Sequence, residues 1–295
     1  MRVLLTGGSG FLGRYILQAL DQLGIETWVM GREKPVFHPP LNFNFIEVDL
    51  LTAIDLQAYL KDIQPSHLIH LAWYAEHGKY WTSELNLRWV DASVRLVEAF
   101  CAADGKQFIG AGTCAEYDWA WGCCKEDDTP RTPATLYGVA KDAAYRLIQA
   151  VCGLYGVTCT WARIFIPYGT GETAMRLVPS LFSAFQGKRD GFGINALAYR
   201  DFLHASDVAQ AFITLLNANA AGAYNISSNQ PLQLKEIVTV IASMCHADAQ
   251  KILSLETVRH NEPPILIGNN SKIKTLGWSQ RISIQDGLEF YFEKN

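Results

Sequence analysis

Nowhere does this chain of 295 residues hold the run of about 20 uncharged apolar residues that a bilayer-spanning helix requires, so no membrane contact is expected of it. Near the N-terminus only Val3–Leu5 is continuously apolar before Gly7 and Gly8 interrupt it, which is too short for the apolar core of a secretory leader. Blocks of Lys and Arg are also missing. With 25 basic against 29 acidic residues the formal net charge is −4, which argues against nucleic acid as a partner. The cysteines number seven, odd and scattered, and suggest free thiols in a reducing cytoplasm rather than a disulfide framework. Cys123 and Cys124 are adjacent, but no second pair or neighbouring His completes a ligand set, so no metal is expected. There is no internal repeat and no low-complexity tract.

What is present is an apolar fraction of 49% with 18% charged residues, enough to bury a large core in one or two domains. Strand-like runs at Val3–Leu5, Thr27–Met30, Phe43–Val48, His67–Leu71, Phe108–Ala111 and Thr158–Ile164 alternate with helical patterns near 11–23, 52–62, 83–103, 135–155 and 175–186. This alternation predicts an α/β fold, a doubly wound parallel sheet with helices on both faces and right-handed crossovers. Beyond about residue 165 the regularity gives way to Gly- and Pro-containing loops, with helical patterns near 206–217 and 233–245. The expected division is a nucleotide-binding domain over 1–165 and a smaller α/β substrate-binding region over 166–295, with segments returning to the core.

Val3-Leu4-Leu5-Thr6 runs into Gly7-Gly8-Ser9-Gly10-Phe11-Leu12-Gly13 and then into an amphipathic helix carrying Ile16, Leu17 and Leu20. Strand, Gly-rich turn and helix in that order put backbone N–H groups and a helix N-terminus around a pyrophosphate. The second strand ends at Met30-Gly31-Arg32. An acidic side chain there would suit the ribose 2′-hydroxyl of NAD(H); Arg32, with Arg14 assisting, suits a 2′-phosphate. NADP(H) is therefore the preferred cofactor, with NAD(H) the alternative. Tyr137 and Lys141 are one helical turn apart and share a face. A neighbouring ammonium is expected to lower the phenol's pKa and make Tyr137 an acid–base group.

These motifs resemble the extended short-chain dehydrogenases/reductases, within the NAD-dependent epimerase/dehydratase family, over nearly the whole chain. Thr6-Gly7-Gly8-Ser9-Gly10-Phe11-Leu12-Gly13 resembles TGxxGxxG and Tyr137-Gly138-Val139-Ala140-Lys141 resembles YxxxK. Arg200-Asp201-Phe202-Leu203-His204 followed by Asp207-Val208-Ala209 is similar to RDFxHxxDVA, and Leu276-Gly277-Trp278 to a C-terminal LGW. The resemblance implies a Rossmann-type sheet and a catalytic set of Thr113, Tyr137 and Lys141, with Tyr117 four residues after Thr113. It further implies cofactor contacts from Gly7, Gly10, Phe11, Leu12, Gly13, Arg32, Asp49, Leu50, Leu71, Ala72 and Asn86, besides Tyr137 and Lys141. For the substrate, a nucleoside-diphosphate sugar, it points to Tyr74, Cys114, Ala115, Glu116, Ile166, Val178, Arg200 and Arg259. Leu177 lies beside Val178, where backbone meets the base, and Glu76 and His77 lie beside Tyr74. A homodimer through the helices near 83–103 and 135–155 is also implied.

Which reaction the resemblance implies turns on the residues after Thr113. Related 4,6-dehydratases carry Asp-Glu there, where this chain has Cys114-Ala115; Glu116 is one residue late and alternation along a strand turns it to the other face. Related epimerase–reductases place a Cys two residues after the catalytic Ser, where Ala115 stands. Many 4-epimerases have an Asn where this chain has Ile166. The expectation is NADP(H)-dependent reduction of a 4-keto-6-deoxysugar nucleotide at C4. The alternatives are an NAD-dependent 4-epimerase, a reductase of a non-nucleotide carbonyl compound, and a non-catalytic NADP-sensing regulator.

Overall fold

A computed structural model describes residues 1–255, 257 and 262–294. Its strands are β1 (Arg2–Thr6), β2 (Glu26–Gly31), β3 (Asn44–Glu47), β4 (His67–His70), β5 (Gln107–Thr113), β6 (Cys123–Cys124), β7 (Thr158–Ile164), β8 (Ile166–Tyr168), β9 (Tyr199–Arg200), β10 (Phe202–His204), β11 (Gly222–Ile226), β12 (Leu232–Gln233) and β13 (Ile265–Gly268). Its helices are α1 (Phe11–Gln22), α2 (Leu56–Ile63), α3 (Leu85–Ala102), α4 (Leu136–Tyr155), α5 (Leu177–Phe185), α6 (Ala205–Asn217), α7 (Leu234–Met244), α8 (Gln250–Leu253), α9 (Ser271–Lys274) and α10 (Ile284–Lys294). Seven parallel strands form the main sheet in the order β11-β7-β5-β4-β1-β2-β3. Strand order reverses between β1 and β4, and a crevice opens there at the carboxyl ends of the strands.

Period-two alternation explains why both faces are covered. Val3 and Leu5 pack with Ile16, Leu17 and Leu20 of α1 and Phe212 and Leu215 of α6. Leu4, between them, faces the other way, with Leu60 of α2, Leu96 and Phe100 of α3, and Ile148 of α4. The six predicted strands and the predicted helices are all present. The seventh strand, β11, comes from Gly222–Ile226, where a five-residue run carries too little pattern to stand out from the loops around it. A third apolar cluster, including Val178, Phe182, Ile237, Ile241, Leu288 and Tyr291, unites α5, α7 and α10. Around it lie the small sheet β12-β9-β13-β6 and the pair β8 and β10.

Two acids of the RDFxHxxDVA segment tie these parts together rather than facing a ligand. Asp201 accepts from Ser228 N and Oγ, Asn229 N and Gly268 N at 2.6–3.0 Å. Asp207 accepts from the N–H groups of Arg281 and Ile282, and Trp278 Nε1 donates to its carbonyl.

Under the end of β5 lies a buried ion pair. Arg163 Nε donates to Glu116 Oε2 at 2.7 Å, the two side chains being 1% and 0% exposed. Glu116 Oε1 takes two further bonds, from Trp161 Nε1 at 2.9 Å and from the backbone N–H of Thr113 at 2.8 Å. Arg163 Nη1 reaches Tyr117 Oη at 3.0 Å, and Tyr117 donates to Asn225 Oδ1 at 2.7 Å. The network links β5, β7 and β11 and sets the position of Thr113. Glu116→Ala strands a buried guanidinium and should lower stability by about 3–5 kcal/mol in denaturant titrations. Pairing Glu116→Leu with Arg163→Met should recover much of that loss; a Glu116→Ala protein as stable as the parent would contradict this role.

Candidate active site

The crevice widens into a cavity of about 1310 Å³ that runs from the Gly-rich turn to the region around α5. At one end Gly7 adopts φ +73°, and a Cβ on it would press on the Ala72 N–H at 2.8 Å. A Cβ on Gly13 would collide with the Gly7 carbonyl, so both positions demand glycine for α1 to approach the strand. The N-cap of α1 is Gly10, which supplies no side-chain cap, and no acid lies in the first turn. Its open N–H groups form an anion site. Gly7, Gly10, Phe11, Leu12, Gly13, Arg32, Asp49, Leu50, Leu71 and Ala72 all line the cavity. This donor set fits a dinucleotide, whose pyrophosphate the N–H groups at the start of α1 would hold. Arg14, expected to assist, lies outside this lining: its guanidinium donates to Val36 O at 2.8 Å and stacks on Phe37.

Thr113 ends β5 and caps a 3₁₀ turn over Cys114–Glu116, accepting from Ala115 N at 3.2 Å. Thr135 caps α4 through Gly138 N at 3.1 Å. A Cβ on Gly138 would collide with the Ala115 carbonyl, so this glycine lets the first turn of α4 press against the 3₁₀ turn. Tyr137 is thereby brought beside Thr113, whose hydroxyl is close enough to favour ionisation of the phenol. Lys141 Nζ donates to Ala111 O at 2.9 Å and lies 3.8 Å from the Trp73 ring centroid. Thr113, Tyr137 and Lys141 share the cavity.

Around Tyr137 stands an aromatic wall that motif matching did not single out. The rings of Tyr80 and Trp81 lie 4.8 and 5.7 Å from that of Tyr137, and Trp119 lies 6.0 Å from Trp81. Asn86, expected at the cofactor, instead holds this wall. Its amide donates to Tyr80 O and Ser83 O, and its oxygen accepts from Trp73 Nε1 at 2.8 Å, leaving it off the cavity. The available signal was compositional, Trp73, Tyr80 and Trp81 crowding the loop between β4 and α3.

Burial dominates the electrostatics. The Tyr137 phenol is pushed above its ordinary value by desolvation, outweighing the Thr113 hydroxyl, so the lowering expected from Lys141 is absent here. Lys141 itself falls to about 7 because the ammonium is desolvated, with Glu116 opposing. Desolvation likewise raises the Cys114 thiol to about 12 and drops His70 to about 3, where Thr6 and Ser93 flank the neutral ring.

Several expected substrate contacts move. Cys114, Ile166, Leu177, Val178, Arg200 and His77 line the cavity, but Ala115, Glu116 and Tyr74 do not. Ala115 and Glu116 are turned inward by the 3₁₀ turn, and Tyr74 donates to Glu76 at the surface, 2.8 Å away. Arg259 lies outside the described residues. The Arg200 guanidinium is held by Glu262, Tyr199 O and Pro263 O, each at 2.8 Å. Sequence reasoning missed Glu172, Arg176 and Arg189, which line the same end, because no motif marks the loop before α5 or the one after it.

Residues 3–227 match the sequence model of the NAD dependent epimerase/dehydratase family. The chain is 22% identical over 310 residues to the dTDP-D-glucose 4,6-dehydratase of Mus musculus, covering 98% of this chain and 86% of that one. To the GDP-6-deoxy-D-mannose reductase of Pseudomonas aeruginosa it is 27% identical over 310 residues, covering 97% and 94%. To the UDP-glucose 4-epimerase of Azospirillum brasilense it is 24% identical over 321 residues, covering 97% and 89%. Among solved structures, MoeE5 in complex with UDP-glucuronic acid and NAD superposes with a TM-score of 0.85 at 27% identity, over 99% of this chain and 98% of that one. Three reactions are represented, so likeness alone does not choose among them.

Lys141 makes a pH-dependent contribution to stability. The folded protein releases its proton near pH 7, while the unfolded chain holds it to the ordinary value of 10.5. The unfolded state therefore binds more protons across that window, and stability from this group rises with pH through it. Lys141→Met should melt higher than the parent below pH 7, by several degrees, with the gap closing towards pH 10. A gap that stays constant across this range in thermal melts would rule out the desolvated lysine.

Proposed function

Since the chain belongs to the NAD-dependent epimerase/dehydratase family, we propose that it reduces the C4 carbonyl of a nucleoside-diphosphate 4-keto-6-deoxysugar with NADPH. The observation that carries this reading is the chemistry next to Thr113. Elimination of water across C5 and C6 needs an extra acid and base there. Glu116 is bound to Arg163, Ala115 is off the cavity, and the Cys114 thiol, raised to about 12, is neutral. Thr113 and Tyr137 remain to meet a sugar oxygen, enough for hydride transfer.

In this reading NADPH, when bound, supplies the hydride to C4. The Thr113 hydroxyl orients the carbonyl, and Tyr137 gives its proton to the developing alkoxide. A phenol held above its ordinary pKa arrives protonated, as a proton donor must. Lys141, one turn along the same face, would hold the nicotinamide ribose. Residues 1–165 carry the cofactor site and 166–295 most of the substrate wall. Leu87, Val139, Leu147 and Leu154, exposed on α3 and α4, suit contact with a second copy of the chain.

Incubation with a dTDP- or GDP-4-keto-6-deoxyhexose should consume NADPH one for one, and Tyr137→Phe should cut kcat about 10²- to 10⁴-fold without weakening NADPH binding. Interconversion of C4 epimers without net cofactor turnover would replace reduction by epimerisation.

Preference for NADP(H) rests on Arg32, exposed on the cavity at the end of β2, with Gly31 where NAD-specific sites place an acid. Arg32→Ala should raise the dissociation constant for NADPH about tenfold or more and leave that for NADH nearly unchanged. Equal effects on both cofactors, read by nucleotide fluorescence, would remove Arg32 from 2′-phosphate recognition.

A further inference from the structure

Lys141 carries a charge into the interior without an ion-pair partner. The residue is 4% exposed, and among the described residues its ammonium makes one hydrogen bond, to Ala111 O at 2.9 Å. Glu116, the acid that acts on it, is committed to Arg163. An ammonium out of water needs compensation from its surroundings. What stands against it is the face of Trp73, whose ring centroid is 3.8 Å from Nζ. Indole offers a cation the strongest of the aromatic faces, and most so where water is excluded. This ring is held from two sides. Its Nε1 donates to Asn86 Oδ1 at 2.8 Å, and Trp89 stacks on it with 6.2 Å between ring centroids. The Asn86 amide is fixed in turn by Tyr80 O and Ser83 O. Lys141, Trp73 and Trp89 all line the cavity.

We infer that Trp73 is a positioning residue: its ring, braced by Asn86 and Trp89, keeps the Lys141 side chain charged and in place for the cofactor. This rests on the cofactor reading above. A carboxylate beside Lys141 would also favour the ammonium, but it would occupy its donors and repel an anionic dinucleotide. A neutral ring face stabilises the cation and leaves its positive field to the ligand. The charges around Lys141 are otherwise settled near neutrality. On α4 burial raises Tyr137 and Tyr145; after β5 the Cys114 thiol is raised to about 12; on β4 His70 is lowered to about 3. The acids Glu116 and Asp142 are paired with arginines. Lys141, lowered to about 7, is the group among these whose charge changes there.

The test follows Lys141 in the whole chain by NMR of isotope-labelled lysine, its signal identified by its loss in Lys141→Met. The ring favours the charged form, so removing it lets the proton go at lower pH. Trp73→Leu should lower the midpoint by about one pH unit, and Trp73→Phe, which keeps an aromatic face, should recover about half of that shift or more. Fluorotryptophan, which draws electrons from the ring and keeps its shape, should lower the midpoint in the same direction, and it covers the case in which Trp73→Leu does not fold. NADPH affinity of the parent and of Trp73→Leu, read by nucleotide fluorescence, should be nearly equal at about pH 5.5 and about tenfold apart at about pH 7.5, a ratio in which the cofactor's own ionisation cancels. In a Lys141→Met background Trp73→Leu should leave that affinity within about twofold. An unshifted midpoint overturns the pairing. A loss of affinity of one size at every pH, or one that persists without Lys141, reduces Trp73 to a wall of the cavity. If neither NADPH nor NADH binds the parent, the cofactor reading has failed, while the titration still decides whether Trp73 holds Lys141.

Discussion

Everything at the reacting end of this molecule depends on one buried ion pair. Glu116 and Arg163 lie almost wholly out of solvent beneath β5, and the carboxylate also holds the Thr113 N–H and the Trp161 indole. Such a pair is held by its completeness: with every acceptor position filled, it is tolerable in the interior, and with one partner removed it is not. It forces the chain after Thr113 into a 3₁₀ turn, and that turn is the surface on which Gly138 seats α4 and delivers Tyr137.

The same withdrawal from water sets the protonation of the site. Tyr137 is kept a phenol, Cys114 a thiol and His70 a neutral ring, while Lys141 is brought to the edge of losing its proton. These shifts have one physical origin, the cost of a charge where solvent is excluded, and attraction between charges is secondary. A neutral phenol beside a hydroxyl on an aromatic wall suits delivery of one proton to one oxygen.

Much of the Gly-rich end of the cavity was legible from the chain alone. Gly7 and Gly13 are required by backbone geometry over one short segment, and such local constraints survive without knowledge of the rest. Asn86, Ala115, Glu116 and Tyr74 do not line the cavity, because a motif position records a residue type and not the direction of its side chain. Asn86 was taken for a cofactor contact and is a brace for the loop carrying Tyr80 and Trp81. Asp201 and Asp207, inside a segment that resembles a ligand-contacting motif, are fully used as joints between distant loops.

By itself the sequence determined the strand–helix alternation, the Gly-rich turn and the one-turn spacing of Tyr137 and Lys141, because each depends on residues near one another along the chain. Only tertiary structure decided which partner each buried carboxylate meets. Glu116 meets Arg163 from 47 residues away, and Asp201 meets the Gly268 N–H from 67. Hydrogen-bond satisfaction in the interior is settled among residues that the fold assembles from remote segments, and no local pattern records it.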